Sequence, residues 1–347
     1  MQEKLFFASD YMEGAHPNIL QRLLKTNLEK TPGYGTDSYC ASAREKICKA
    51  CQAPEAEVYF LAGGTQTNSM IIKYLLRPYQ GVIAAETGHI NGHEAGAIEC
   101  GGHKVLTVPQ NNGKLNADGV RAVAEHYNSD DNRDHMVMPG MVYLSQPTES
   151  GTLYSLQELE DIRAVCREFG LYLYVDGARL AYGLACPKND VTLRDLARLC
   201  DVFYIGGTKC GALFGEAVVI PEPDLIPHFF TLMKQHGALL AKGRILGIQF
   251  DTLFTDDLYL QVGCSAVAHA DTIREKLQQK GLKLCYGSPT NQVFVRLTDD
   301  QRQKLEETVA VSFWEKPDQT HTIIRLATSW ATQTEDVQKL LAVLDSL

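Results

Sequence analysis

The amino-acid sequence predicts an α/β protein: a large domain built on a mostly parallel, mixed sheet flanked by helices, followed by a smaller C-terminal α+β domain. Three observations carry this. Between about residues 57 and 220, short β-branched or aromatic runs alternate with amphipathic stretches, the pattern of βα units. After about residue 245 helical stretches dominate, with only short strands between them. The length of 347 residues, 45% hydrophobic and 22% charged, suits one large and one small domain with sizeable cores, at about 100 to 200 residues per domain. We place the large domain at 1–245, with segment 1–30 a candidate to pack against the small domain, and the small domain at 246–347.

The expected strands of the large domain are Glu57 to Leu61, Gly81 to Ala85, Lys104 to Val108, Met141 to Ser145, Leu171 to Val175, Val202 to Ile205 and Ala217 to Ile220. Ser155, with Glu158 three residues on, forms a capping box for a helix that Gly170 would stop, because glycine accepts the left-handed conformation there. Ser42 and Glu45 repeat the capping pattern for an earlier helix. In the small domain, helices are expected around Asp271 to Lys280, Asp299 to Thr308 and Glu335 to Leu344. Strands are expected at Gln292 to Leu297 and Thr322 to Leu326.

A net charge of -9 with no basic run argues against a nucleic-acid surface. Nothing approaches 18 consecutive apolar residues, so no membrane partner is expected, and the start Met1-Gln2-Glu3-Lys4-Leu5 lacks the form of a secretory signal. The expected location is cytoplasmic. Ten scattered cysteines then read as reduced core residues, and the pair Cys48 and Cys51, in a helical run without a second such pair, reads as structural. No metal-ligand spacing stands out.

The chemistry concentrates at strand ends. Leu171 to Val175 is apolar throughout and ends in Asp176-Gly177-Ala178-Arg179; ligands bind outside the carboxyl ends of parallel strands, so this acid points at a site. The next strand ends in Gly206-Gly207-Thr208-Lys209, where small and apolar neighbours surround the lysine. Burial lowers a lysine pKa, and a desolvated neutral amine attacks carbonyls. The strand Glu57 to Leu61 runs into Gly63-Gly64-Thr65 at a helix start, an arrangement that can cradle an anion. An anion cradle, an acid and an amine on strand ends together fit pyridoxal 5'-phosphate. Its phosphate would lie on the Gly64-Thr65 turn, its ring nitrogen on Asp176, and its aldehyde carbon on Lys209 as a Schiff base.

At these residues the sequence resembles the threonine aldolases and β-eliminating lyases of the aspartate-aminotransferase-like fold (pyridoxal-phosphate fold type I), and most of all the phenylserine aldolase branch. The likeness runs through Ser9-Asp10, Tyr34-Gly35-Thr36-Asp37, Gly63-Gly64-Thr65, His89-Ile90-Asn91 with Glu94, Ser145-Gln146-Pro147-Thr148-Glu149, Asp176 to Arg179, Gly207-Thr208-Lys209 and Arg325. The resemblance implies that His89 stacks on the cofactor ring and that Ser9, Arg179 and Arg325 hold the substrate carboxylate. It implies a homodimer or homotetramer with shared sites, in which Tyr34 and either Lys242 or Arg244 come from the neighbouring subunit. Many threonine aldolases carry a second histidine in a loop aligning with Pro147 to Ser150, where this chain has Thr148-Glu149. The base for the substrate hydroxyl is therefore open between His89, His93, Glu94 and a bound water.

The implied reaction cleaves the Cα–Cβ bond of an L-β-hydroxy-α-amino acid, of threonine or phenylserine type, to glycine and an aldehyde. Arg179 and Arg325 would orient that bond. Its rivals are β-elimination or another amino-acid reaction on the same cofactor, and a non-catalytic relative that keeps the fold.

Overall fold

The computed structural model describes residues 4–347; Met1, Gln2 and Glu3, on which the reading of the N-terminus partly rests, lie outside the described residues. Its strands in chain order are β1 (Leu5–Phe6), β2 (Glu57–Leu61), β3 (Gln80–Ala85), β4 (Val105–Val108), β5 (Met138–Ser145), β6 (Tyr172–Asp176), β7 (Val202–Gly206), β8 (Glu216–Ile220), β9 (Lys283–Leu284), β10 (Gln292–Thr298), β11 (Val309–Ala310), β12 (Ser312–Glu315) and β13 (His321–Ala327).

Seven strands form the central sheet in the order β2-β8-β7-β6-β5-β3-β4. Only β8 runs against its neighbours β2 and β7; the remaining pairs are parallel. Strand residues alternate between the two faces, so each strand feeds two cores. Val142, Leu173, Val175, Phe203 and Ile205 face one, and Met141, Tyr143, Tyr174, Val202 and Tyr204 the other. This explains the near-continuous apolar runs: helices cover both faces.

The helix Leu156–Phe169 has the reciprocal Ser155/Glu158 capping box and ends at Gly170 with φ 66°. The pattern at Ser42 and Glu45 does not start a helix. The helix there is Ser38–Cys51, and Asp37, in an extended conformation, accepts from the Cys40 amide. Ser42 sits a full turn inside and donates instead to Asp251, 2.5 Å away. A carboxylate one residue before the helix outcompeted a serine that already had a tertiary partner.

In the C-terminal region, β12-β13-β10-β9 form an antiparallel sheet. The helix expected near Asp271 is the last half of a longer one, Leu258–Gln279. Its residues up to Val267 belong to the core shared with the large sheet, and Ala270, Ile273 and Leu277 pack with Val293, Val295 and Leu326. The N-terminal β1 pairs in parallel with β11, and Phe7 enters this C-terminal core. No helix among the described residues is long and apolar enough to cross a membrane.

Candidate active site

The carboxyl ends of β2, β5, β6 and β7 meet at one edge of the sheet, and because β8 runs backwards its first residue, Glu216, arrives at the same edge opposite Leu61 and Gly206. The turns after β6 and β7 pass so close that a Cβ on Gly177 would lie 2.0 Å from the Tyr204 carbonyl, and one on Gly206 2.4 Å from that of Ala178. Only glycine lets these two strand ends converge. Between them opens a cavity of about 190 Å³ lined by Gly63, Gly64, Thr65, His89, Asp176, Arg179 and Lys209, all read from the sequence. Asn68, Ser145, Glu149, Tyr204, Thr208 and Glu216 complete its polar lining. A larger hollow of about 400 Å³ near Cys186 and Glu275 lies elsewhere. Its Arg274 is already held by Asp271 and by the carbonyls of Pro289 and Thr290.

Asp176 is the saturated centre of the cavity floor. Tyr204 (2.5 Å) and the Ala178 amide (2.9 Å) donate to Oδ1; Tyr143 (2.7 Å) and Asn68 (3.1 Å) donate to Oδ2. Burial pushes its pKa up, yet the charge of His89 and these hydrogen bonds outweigh burial and hold it below the ordinary value. Asp176 is thus a fixed, buried negative charge.

Lys209 is positioned through its backbone: the Tyr182 hydroxyl donates to its carbonyl, and Tyr259 donates to that of Gly206. Its Nζ has neither a hydrogen bond nor an ion pair among the described residues, and sits 5.8 Å from the Tyr11 ring centre. Burial, then the nearby Arg179, lower its pKa, against opposing pulls from Asp10, Asp176 and Glu216. An ammonium without an acid partner in such a place is costly; an amine that bonds to an aldehyde is not.

The helix Gly64–Leu75 begins at Gly63 without a side-chain cap; Gly63, Gly64 and Thr65 line the cavity, and a Cβ on Gly63 would meet nothing within 4 Å, which leaves room for an anion at the helix start. Thr208 donates to Glu216 Oε1 (2.7 Å) and the Gly207 amide donates to its Oε2 (3.0 Å). Burial raises the pKa of Glu216 to about 8. An uncapped helix start, an unpaired amine and an ionised carboxylate in one cavity fit a phosphorylated aromatic aldehyde.

His89 begins the short helix after β3. Its Nδ1 is 2.8 Å from Glu94 Oε1, which also accepts from Asn68, and its backbone amide donates to Glu149 Oε1 (2.9 Å). Burial lowers its pKa, but the Glu94 hydrogen bond and the charge of Asp176 leave it raised. His93 is exposed and does not line the cavity, although its ring lies 5.8 Å from that of His89.

The two arginines differ. Arg179 is clamped by Asp10 through Nε (2.7 Å) and Nη2 (3.0 Å). Burial opposes the charge on Asp10, but Arg179 and Lys209 hold its pKa at about 2. Arg325 has no carboxylate among the described residues: its Nη atoms donate to Gln292 (3.0 Å), the Ala8 carbonyl (3.1 Å) and Ser312 (3.2 Å), and Nε is buried without a partner among them. Burial, with Arg179 nearby, lowers its pKa to about 10. Ser9 lies between Ala8 and Asp10, which contact these arginines.

Tyr34, Lys242 and Arg244 do not line the cavity. Tyr34, with φ 59°, is exposed and carries Lys234 Nζ 4.2 Å from its ring centre, and its amide donates to Ala241. Lys242 is exposed, and Arg244 donates to the carbonyls of Glu29 and Asn27. Cys48 and Cys51 stand on the helix Ser38–Cys51, and burial raises both thiol pKa values.

The residues missed in the sequence are Asp10, Asn68, Tyr143, Glu149, Tyr204 and Glu216 as members of the site. A signal existed for the tyrosines: Tyr143, Tyr174 and Tyr204 each stand two residues before a strand end, on the same face as Ser145, Asp176 and Gly206.

Fold and site define a pyridoxal-phosphate-dependent enzyme. A family model described as beta-eliminating lyase matches residues 7–313. Low specificity L-threonine aldolases of a Pseudomonas species and of Pseudomonas aeruginosa are each 31% identical, over 97% and 96% of this chain and 96% and 95% of theirs. A solved threonine aldolase of Leishmania major superposes with a TM-score of 0.95 at 44% identity, covering 98% of each chain. An aspartate aminotransferase of Thermus thermophilus shares the fold, with a TM-score of 0.73 at 16% identity. The chain belongs to the beta-eliminating lyase family and is a pyridoxal-phosphate-dependent lyase.

Proposed function

We propose that this chain cleaves the Cα–Cβ bond of L-β-hydroxy-α-amino acids of the threonine or phenylserine type, releasing glycine and an aldehyde. The observation that carries the reading is the convergence, at one sheet edge, of an amine without an acid partner among the described residues, a saturated carboxylate and an uncapped helix start. The names of the Pseudomonas and Leishmania relatives supply the reaction type.

In this reading Gly63, Gly64 and Thr65 hold the phosphate, His89 stacks on the ring, Asp176 keeps the ring nitrogen protonated, and Lys209 bonds the aldehyde carbon. When bound, the cofactor accepts the electron pair released at the substrate's α-carbon. Arg325, with no carboxylate partner among the described residues, takes the substrate carboxylate, assisted by Ser9 and by the remaining Nη1 of Arg179. Asp10 holds the Arg179 fork in place. Fixing the carboxylate would decide which bond to the α-carbon is presented for cleavage.

Tyr34 and Lys242 or Arg244 would reach a site only on a second copy of the chain, as a homodimer or homotetramer. Leu20, Leu24 and Leu28 support such association: they recur every four residues and are 47%, 79% and 91% exposed.

Incubation with L-threonine and L-phenylserine, followed by assay for glycine plus aldehyde, tests the reaction. Pyruvate and ammonia without glycine would mean β-elimination instead.

A further inference from the structure

Cleavage of a β-hydroxy amino acid requires a group that takes the hydroxyl proton as the carbon–carbon bond breaks, and that group must reach the cavity. Most acceptors there are already engaged. Asp176 accepts from four donors. Both oxygens of Glu216 accept, from Thr208 and from Gly207. His89 Nδ1 is held by Glu94, and against burial that hydrogen bond with the charge of Asp176 raises its pKa, which favours the protonated ring, whose Nε2 is then a donor and not an acceptor. Glu94 does not line the cavity, and its second oxygen is buried without a partner.

Glu149 is different. It follows the end of β5 through Gln146-Pro147-Thr148, is 8% exposed and lines the cavity. Its Oε1 is fixed by two donors, the Ser145 hydroxyl (2.6 Å) and the His89 amide (2.9 Å). Its Oε2 has no hydrogen-bond partner among the described residues. Behind it, Gln292 donates to the Glu149 carbonyl (3.5 Å) and accepts from Arg325 Nη1 (3.0 Å). Gln292 thereby links the Arg325 guanidinium to the backbone of Glu149.

We propose that Glu149 is the catalytic base for the substrate hydroxyl; the inference rests on the reaction proposed above. The hydroxyl proton passes to Glu149 Oε2, and the O–H electron pair forms the carbonyl of the departing aldehyde. The Cα–Cβ pair stays with the α-carbon, which then takes up a proton to give glycine, and Glu149 returns its proton to solvent, so no proton is gained or lost overall. Burial raises the pKa of Glu149 above the ordinary carboxylate value, with Asp176 adding to this and Ser145, its own backbone and His89 opposing it. Arg179, Tyr143 and Tyr154 are the other titratable groups that face it. A carboxylate with a raised pKa is a stronger proton acceptor than an ordinary one.

The test compares two reactions of the cofactor-loaded enzyme. Aldehyde release needs the hydroxyl base; exchange of glycine's α-proton in D2O, followed by NMR, does not. In Glu149→Gln, aldehyde release is expected to fall ~10²- to 10⁴-fold, with exchange reduced less than tenfold and the visible absorbance of bound cofactor retained. Loss of both reactions together, or a fall in aldehyde release below tenfold, overturns the assignment. Should Glu149→Gln not fold, the unsubstituted enzyme still decides. The kcat/KM for aldehyde release must decline as pH falls through a raised carboxylate pKa, with no such limb in glycine exchange; a limb shared by both reactions, or none, rejects Glu149. Failure of the unsubstituted enzyme to release any aldehyde would instead reject the underlying reaction.

Discussion

The floor of the cavity and its wall are built on opposite principles. On the floor, Asp176 is buried and every lone pair it offers is met by a tyrosine, an asparagine or a backbone amide. Around the wall, Lys209 Nζ and Glu149 Oε2 have no partner among the described residues, and beyond Arg179 the guanidinium of Arg325 has no carboxylate among them. Buried polar groups are normally satisfied, because an unmet one costs about 1 to 3 kcal/mol. The saturated carboxylate is therefore a group held ionised, whose charge acts on a ligand's cationic nitrogen, and the unsatisfied ones are groups whose free atoms are open to bond a ligand. The arginines repeat the contrast: Arg179 is neutralised by Asp10, and Arg325 is not.

Substitutions can break this contrast. The largest effect is expected for Lys209→Ala, with turnover lost by ~10⁴-fold or more and the visible absorbance of bound cofactor lost with it. Stability, by chemical denaturation, should hold, since the amine has no partner to abandon. The arginines should then separate. Arg325→Ala should lower kcat/KM by about 10²- to 10³-fold, mostly through KM. Arg179→Ala leaves Asp10 buried without its counter-ion and should lose ~3–5 kcal/mol of folding stability, read by urea denaturation. Equal stability losses in the two variants would erase the distinction.

A pH effect comes next. Asp10 has its pKa depressed from 3.8 to about 2 in the folded chain, so its contribution, about 2 kcal/mol, is complete above pH 4 and disappears as pH falls from 4 towards 2. Asp10→Asn should unfold more easily than the unsubstituted chain at pH 6 and show a shallower loss of stability between pH 4 and 2. The smallest effect belongs far from the cavity: Ser155→Ala removes a capping box and should cost about 1 kcal/mol in thermal or urea unfolding, with kcat/KM unchanged.

The same contrast explains what could be read in the sequence. Strands, the Ser155 cap and the Gly170 stop depend on neighbours within a few residues, and their signals are local. Lys209, Asp176 and Gly63 to Thr65 were legible because each ends an apolar run, and strand ends are where ligands bind. What a side chain pairs with was not legible. Arg179 and Arg325 looked alike until the fold brought Asp10, 169 residues away, to one of them. Glu149 looked like one more loop carboxylate until Ser145 and the His89 amide fixed one of its oxygens and left the other free. Ser42 looked like a cap because its competitor Asp37 and its tertiary partner Asp251 could not be weighed from spacing alone.

The most direct measurement is borohydride reduction of the cofactor-loaded enzyme followed by peptide mass mapping. A pyridoxyl mass on the peptide containing Lys209, absent in Lys209→Ala, is the expected result. A pyridoxyl mass on another lysine, or none on an enzyme that still releases aldehyde, would contradict the assignment of the unpaired amine as the cofactor's anchor.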